Sequence, residues 1–507
     1  MSEKPALVTG STGYVGGRLV PLLLQRGHKV RAVGRSKAKL AARPWAGHPN
    51  LELVQGDVLD LDSLQKAAAG CRAAFYLVHS MNPATKDFAR TDRKAAQNMV
   101  AAAEAGGLEQ LIYLGGIIPQ GQALSHHLES RAEVGRILQA GFTPATWLRA
   151  AMILGSGSAS FEIMRYLVER LPVMTTPRWV RSLVQPIAIV NVLGYLAGCL
   201  ENGQTAGQIY DICGPDALSY EDLFQIYAQE AGLARRWIIP LPLLSPKLSS
   251  YWIHLVTPLH ASIARPLAEG LANSVTCAEN RINEVIPQEL LTCRQAIKDI
   301  LSGREEQAAQ TCWMDAGPLQ PPAWAQPGDA PYAGGSVLQD AFRITLDKPK
   351  SEVWPVIKGL GTQGDMYHGR PLWQLRGLLD KLVGGVGWDR GRRHPRELVV
   401  GDALGFWRVL EMREGFSLVL LADMKAPGEA VLIIRLAESQ KGCELMIIGR
   451  FLPKGLSGLA YWHGLHPLHA WLYKGMLREM ARRARAGILS GPEEFSPSQE
   501  QMCLMSD

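Results

Sequence analysis

The chain has 507 residues, 47 % of them hydrophobic and 20 % charged, a globular composition that excludes a disordered or collagen-like protein. That length exceeds one ordinary domain and is ample for burying a core. The formal net charge of +6 is small for this length, so nucleic acid is not demanded as a partner, while attraction to an anionic cofactor or a membrane surface is permitted.

The first element is a short apolar strand, Ala6-Leu7-Val8. It is followed by Thr9-Gly10-Ser11-Thr12-Gly13-Tyr14-Val15-Gly16-Gly17 and an apolar-periodic segment from Val15 to Arg26 that ends at Gly27. Strand, glycine turn and helix in that order build a dinucleotide site. One glycine lets the turn reverse, a second lets backbone approach a pyrophosphate, and a third lets helix and strand pack closely. The helix N-terminus adds N–H groups and partial positive charge. The candidate phosphate-binding residues are therefore Gly10, Ser11, Thr12, Gly13, Tyr14, Val15 and Gly16. The next strand, Lys29–Val33, is followed by Gly34-Arg35-Ser36-Lys37, and no carboxylate stands between Lys29 and Glu52. An NAD site would place an acid here for the ribose 2′-hydroxyl, whereas Arg35 with Ser36 suits a 2′-phosphate. The expected cofactor is NADP(H), with NAD(H) as the alternative.

The alternation continues with strands at Leu51–Gln55, Ala73–His79, Gln110–Leu114 and Ala145–Leu154. Between them lie helices at Leu61–Ala69, Phe88–Ala105 and Leu128–Ala140. Right-handed βαβ crossovers and a doubly wound parallel sheet follow from that order, a Rossmann-like α/β fold. Further on come a helix at Asn191–Glu201, a strand at Gln208–Ile212 and an N-cap at Ser219-Tyr220-Glu221-Asp222 opening a helix to Glu230. The proline-broken apolar stretch 237–267 is expected to be a substrate-side lobe, closing a first domain at 1–300.

Residues 301–335, with prolines at 318, 321, 322, 327 and 331, read as a linker. A second domain is expected at 336–490. It has a strand over Ser336–Leu346, a helix over Ser351–Ile357, and strands near Ala403–Glu411, Ser417–Ala422, Ala430–Leu436 and Cys443–Phe451. A long helix over Leu459–Ala486 follows. Antiparallel strands with one terminal helix describe an α+β helix-grip domain, expected to enclose an apolar cavity with Trp373, Arg376, Trp407 and Arg408 at its mouth or floor. Residues 491–507 are expected to be a disordered tail. The eight cysteines include no C-x-x-C pair, which argues against zinc and against a disulfide framework and fits the cytoplasm. No cleavable leader and no apolar run of the ~18 residues needed to span a bilayer is evident. Peripheral membrane contact stays open. His463, His466 and His469 are read as packing or surface histidines, because Pro467 interrupts their register and no zinc motif accompanies them.

Thr9-Gly10-x-x-Gly13-x-x-Gly16, the Arg after the second strand, Gly56-Asp57-Val58, Leu148-Arg149-Ala150 and Gly155-Ser156-Gly157-Ser158 resemble atypical short-chain dehydrogenase/reductases of the NmrA-like, NAD(P)-binding kind. In the second domain, Leu372-Trp373-x-x-Arg376-Gly377, Gly384-Gly385-Val386-Gly387, Arg390-Gly391-Arg392, Phe406-Trp407-Arg408-Val409, Met424-Lys425-x-Pro427-Gly428 and Tyr461-Trp462 resemble an appended domain of unknown function akin to the polyketide-cyclase/START-like superfamily. The resemblance adds Asp57, Val58 and Val78 to the cofactor-binding set. It implies an NADP(H)-dependent oxidoreductase acting on an apolar small molecule that the second domain helps to hold. A non-catalytic NADP(H)-binding sensor or scaffold is the alternative. The superfamily's Tyr-x-x-x-Lys is replaced by His127-Leu128-Glu129-Ser130-Arg131, and Leu114-Gly115-Gly116 carries no Ser. His127 becomes the candidate proton donor and Arg131 the candidate ribose or charge partner; the alternative for both is a packing or surface role.

Overall fold

The computed structural model describes residues 4–78, 88–119, 126–241, 253, 257, 274–302, 337–361, 368–388, 392 and 397–497. His79, the linker, almost all of the expected lobe beyond 241, and Arg390 and Gly391 of the Arg390-Gly391-Arg392 motif lie outside them. The chain divides into two compact units, 1–318 and 319–507.

In the first unit, β1 (Ala6–Val8), β2 (Val30–Gly34), β3 (Leu51–Gln55), β4 (Ala73–Tyr76), β5 (Gln110–Gly116), β6 (Ala145–Ala150) and β7 (Ile209–Ile212) form one sheet in the order β7-β6-β5-β4-β1-β2-β3. Every neighbouring pair is parallel. Such a sheet is covered on both faces, and β1 shows how. Ala6 and Val8 point into one cluster with Leu19, Val20 and Leu23 of α1 (Gly16–Gln25). Leu7 points into the other, with residues of α3 (Leu61–Ala68), α4 (Phe88–Gly106) and α5 (His126–Gln139). A short helix, α2 (Lys37–Ala41), follows β2.

The strand expected over Ala145–Leu154 breaks after Ala150. Ile153–Leu154 leaves the sheet and pairs with Ile187–Ala188 instead. Helices α6 (Ala159–Arg170), α7 (Ile189–Glu201), α8 (Tyr220–Glu230) and α9 (Cys293–Leu301) also belong to the unit, and Ser219 and Asp222 close the expected capping box on α8. Cys213 and Cys277 form a disulfide across 64 residues of sequence, which corrects the expectation from spacing alone. Spacing detects only local thiol pairs, and this one is assembled by the fold.

The second unit is an antiparallel sheet: β8 (Leu338–Leu346), β9 (Ala403–Leu404), β10 (Trp407–Arg413), β11 (Ser417–Ala422), β12 (Gly428–Ser439), β13 (Gly442–Pro453) and β14 (Ile488–Glu494), in the order β9-β10-β11-β12-β13-β8-β14. Helices α10 (Lys350–Lys358), α11 (Arg370–Leu382) and α12 (Gly455–Arg483) accompany it, with α12 packed on β8 and β13. Leu418 and Leu420 enter the cluster shared with α12, while Val419 and Leu421 enter a second cluster on the opposite face. The ordered chain runs past 490. β14 pairs with β8, and the Phe495 N–H donates to the Ala341 carbonyl, so residues 491–495 are not the disordered tail expected there. Short polar strands such as Ile488–Glu494 carry no alternation, and this one exists because the β8 edge offers it partners. Among the described residues, no helix is long and apolar enough to cross a membrane.

Candidate functional site

The sheet order reverses between β1 and β4, the place where open α/β sheets bind ligands. The glycine turn is moored to both diverging strands. Thr9 Oγ1 donates to the Phe75 carbonyl at 2.9 Å and accepts from the Leu77 N–H at 3.3 Å. Ser11 Oγ donates to the Val8 carbonyl at 2.6 Å and accepts from the Val33 N–H at 3.2 Å. With its side chain buried and committed in this way, Ser11 has only its backbone to offer a phosphate. Gly10 sits at φ +70°, and a Cβ there would lie 2.8 Å from the Leu77 carbonyl oxygen. A Cβ on Gly16 would lie 2.3 Å from the Gly10 oxygen, and one on Gly13 3.2 Å from the same atom. The Gly13 N–H donates to that oxygen at 2.9 Å, so the turn folds upon itself and brings the α1 N-terminus, beside Thr12, Tyr14 and Val15, to the strand ends. A side chain at 10 or 16 would force the turn apart from Leu77 or from itself, so only glycine keeps the helix end this close to the strand ends, and the residues fit a dinucleotide diphosphate.

Arg35 is exposed at the end of β2, where its carbonyl accepts from Gln55 Nε2. Ser36 caps α2, its hydroxyl accepting from the Lys39 N–H at 3.3 Å, which leaves the hydroxyl proton available to a phosphate. Arg43 was not anticipated. It is buried and donates to the Thr12 carbonyl at 3.1 Å, and next to it Trp45 Nε1 donates to the Gly17 carbonyl at 3.2 Å. The segment after α2 thus folds back onto the glycine turn and adds a cation to it. Arg18 was missed too. It reaches the Ser156 carbonyl at 2.6 Å and stacks 4.6 Å over the Tyr14 ring, tying the cofactor turn to the Gly155–Ser158 loop. A cation in the first turn of a helix opposes the dipole, which was the available signal. Asp57 Oδ1 accepts from the Leu59 N–H, the Val58 carbonyl accepts from Asn98 Nδ2, and Val78 packs beside Val58 against the α3–α4 core.

The side chain of His127 lies outside the described residues. Arg131 is one turn further along α5, its carbonyl accepting from the Tyr113 hydroxyl at 3.2 Å. Burial pushes the Tyr113 hydroxyl up, and the neighbouring Arg131 guanidinium pulls it partly back. Tyr76, 6.0 Å away ring to ring, is raised by burial and by Asp92, which also accepts from Ser130. Arg131 therefore sits beside a buried tyrosine pair.

In the second unit the motifs scattered over ninety residues of sequence converge. Trp373 stacks on Trp388 at 5.8 Å, and both pack on Phe406, itself 5.6 Å from Trp407. These tryptophans are buried in the core, which excludes the mouth of a cavity and leaves the floor of the two placements expected for Trp373 and Trp407. Arg408 pairs with Asp423 at 2.8 Å. Arg376 donates to the Lys425 carbonyl at 3.0 Å and approaches the Tyr461 hydroxyl at 3.4 Å. Asp380 is fully buried, accepting from the Gly387 and Lys425 N–H groups at 2.8 and 2.7 Å. His466 and His469 share the buried Asp340 carboxylate, each Nδ1 within 3.0 Å, which clamps α12 to β8. Among the described residues no group of three or more His, Cys, Asp or Glu is placed to hold a metal.

Comparison with known proteins agrees with this division. Residues 10–152 match a family described as NAD(P)H-binding, and residues 332–476 match one described as a protein of unknown function, DUF2867. The chain thus joins an NAD(P)H-binding domain to a C-terminal DUF2867 domain. The 3 beta-hydroxysteroid dehydrogenase/Delta 5-->4-isomerase of Mycobacterium tuberculosis is 37 % identical over 112 residues, 22 % of this chain and 27 % of that protein. The chloroplastic divinyl chlorophyllide a 8-vinyl-reductase of Oryza sativa subsp. indica is 26 % identical over 232 residues, 44 % of this chain and 49 % of its own. The chain spans only about a quarter to a half of the length of these relatives. Among solved structures, the Citrobacter sp. triphenylmethane reductase is 18 % identical with a TM-score of 0.49, covering 59 % of this chain and 99 % of the other.

Proposed function

We propose that this protein is an NADP(H)-dependent oxidoreductase acting on an apolar small molecule, with the C-terminal domain helping to hold that molecule. The observation that carries the cofactor choice is the cationic end of β2, where Arg35 is exposed beside the Ser36 hydroxyl and no carboxylate precedes Glu52. Bound NADP(H) supplies hydride. The chain supplies the rest. The turn Gly10–Gly16 and the α1 N-terminus hold the diphosphate, and Arg35 with Ser36 holds the 2′-phosphate. Asp57, Val58 and Val78 complete the cofactor-binding set, as the family resemblance implies. His127 is the proton donor to test first, because imidazole titrates near neutrality. Names borne by the relatives, a steroid dehydrogenase and a vinyl reductase, favour apolar carbonyls or conjugated alkenes as substrates.

One observation favours the alternative of a non-catalytic NADP(H)-binding sensor or scaffold. Arg131 lies against Tyr113, and the β5 end reads Gly115-Gly116, with no hydroxyl to polarise a carbonyl. Purified protein should oxidise NADPH in the presence of some member of a panel of apolar aldehydes, ketones and enones. Tight NADPH binding without turnover across the panel would leave the sensor. If turnover is found, a His127→Phe variant that keeps full kcat removes His127 from the mechanism.

A further inference from the structure

Helix α11 is amphipathic in the reverse sense. Its inward face carries Trp373, Gly377, Asp380 and Lys381, all buried. Its outward stripe carries Leu375, Leu378, Leu379 and Leu382 and runs on to Val383, and these five side chains are 48–69 % exposed. The spacing of three and four places them on one face. Rolling the leucines inward is prevented by the polar back of the helix. Asp380 accepts its two backbone N–H groups from Gly387 and Lys425, and Gly377 has room only for hydrogen against Trp388.

The stripe begins beside a cationic groove. Gly369, the residue before α11, is packed against Leu472 and the Trp471 ring, and the His368 ring lies 4.2 Å from Trp471. Trp471 is 51 % exposed and forms one wall of a groove of about 470 Å³ whose other lining includes Lys474, Arg478 and Arg482, four residues apart on α12. Glu479 is the acid in that lining and pairs with Arg482 and Arg483, so the row's net positive charge rests on Arg478 and on Lys474, whose Nζ lies 5.2 Å over the Phe342 ring. Arg370 adds an exposed cation at the start of α11.

We propose that the α11 stripe, Trp471 and the Lys474–Arg478–Arg482 row form a docking surface for an anionic lipid bilayer. The leucines enter the boundary between headgroups and acyl chains, and Trp471 sits at the level where one end of a ring is wet and the other apolar. The cations meet lipid phosphates. A second copy of this chain fits less well. A twofold contact through this patch would set cations against cations.

Co-sedimentation of the full chain with vesicles tests the surface. The parent should bind phosphatidylcholine vesicles containing phosphatidylglycerol, bind phosphatidylcholine alone far less, and lose binding as salt rises. Leu378→Glu/Leu379→Glu should weaken anionic-vesicle binding about tenfold or more, and Lys474→Ala/Arg478→Ala should weaken it similarly while flattening its salt dependence. All four positions reach solvent, so circular dichroism and NADPH titration of both variants should match the parent. A parent that ignores anionic vesicles, or variants that bind them as the parent does, would overturn the proposal. A concentration-dependent dimer abolished by the leucine pair would hand the stripe to a second copy instead.

Discussion

Residues 10–16 and residues 377–387 both depend on glycines that leave no space for a Cβ, yet they put that closeness to opposite uses. In the first domain, Gly16 lies so near the Gly10 oxygen that the turn closes behind itself and the helix end faces outward. In the second, Gly377 lets the helix lie against Trp388, Gly387 fits against the Lys381 side chain, and Gly385 lies so close to the Asp380 carboxylate that backbone wraps it, its oxygens met by the Gly387 and Lys425 N–H groups. One arrangement brings a helix N-terminus to the strand ends, the kind of place where an anion finds N–H groups. The other satisfies a resident anion and buries it. Glycine spacing alone therefore distinguishes a binding turn from a structural joint only when the partner of the N–H groups is known.

The comparison breaks most sharply at Gly16. Gly16→Val sets a side chain against the Gly10 backbone, a strain at or above the usual ~1–3 kcal/mol of overpacking, because backbone cannot yield as a side chain can. Fluorescence titration should show no NADPH binding, while the unfolding transition of the second domain stays in place. Asp380→Ala should do the reverse. Two buried N–H groups lose a charged acceptor, a cost of about 3 kcal/mol in denaturant unfolding, with NADPH affinity unchanged. If Asp380→Ala is neutral, the carboxylate is not the joint described above.

Arg35→Ala should weaken NADPH by roughly 1.5–3 kcal/mol and leave NADH nearly unaffected, as expected for a lost charge-assisted bond to the 2′-phosphate. Calorimetry giving equal affinities for the two cofactors in the parent protein would refute the NADP(H) assignment. Arg43→Met should weaken both cofactors together, since Arg43 holds the Thr12 carbonyl rather than the end of β2.

The smallest effect concerns pH. Hydrogen bonds from Arg482, joined by Arg483, lower the Glu479 carboxyl from its ordinary 4.5 to about 2. A depressed carboxylate contributes stability that is complete above its unfolded value and is lost as pH falls from about 4.5 towards 2. Arg482 is 72 % exposed, so water and salt screen this contribution and it should be slight. Glu479→Gln should flatten the acid limb of the stability curve by that small amount. A parent and variant that respond identically between pH 5 and 2 would show the pair to be without effect (about that range, ordinary carboxylates titrate as well).

Much of the first domain was legible in its sequence. Apolar runs with period two, helical runs with period near 3.6 and glycines at 10, 13 and 16 are local signals, because hydrogen bonding and backbone sterics act over a few residues. The capping box at Ser219 and Asp222 and the end of α1 before Gly27 follow from the same local chemistry. Helix α11 was not legible as a helix. Its inward face holds Gly377, Asp380 and Lys381 where a pattern of apolar residues is expected, and only the loops at 385–387 and 425 make that face stable inside.

The cofactor cradle was thus determined by the sequence, whereas its surroundings were decided by tertiary structure. Arg43 reaches Thr12 because Trp45 seats its segment on Gly17. Arg131 lies beside Tyr113 because α5 crosses β5. Cys213 meets Cys277 because β7 and the returning chain end side by side, and β14 forms because β8 has a free edge to pair. In each case the partners are far apart along the chain, so the interaction depends on how completed elements pack and leaves no periodic trace in the residues themselves.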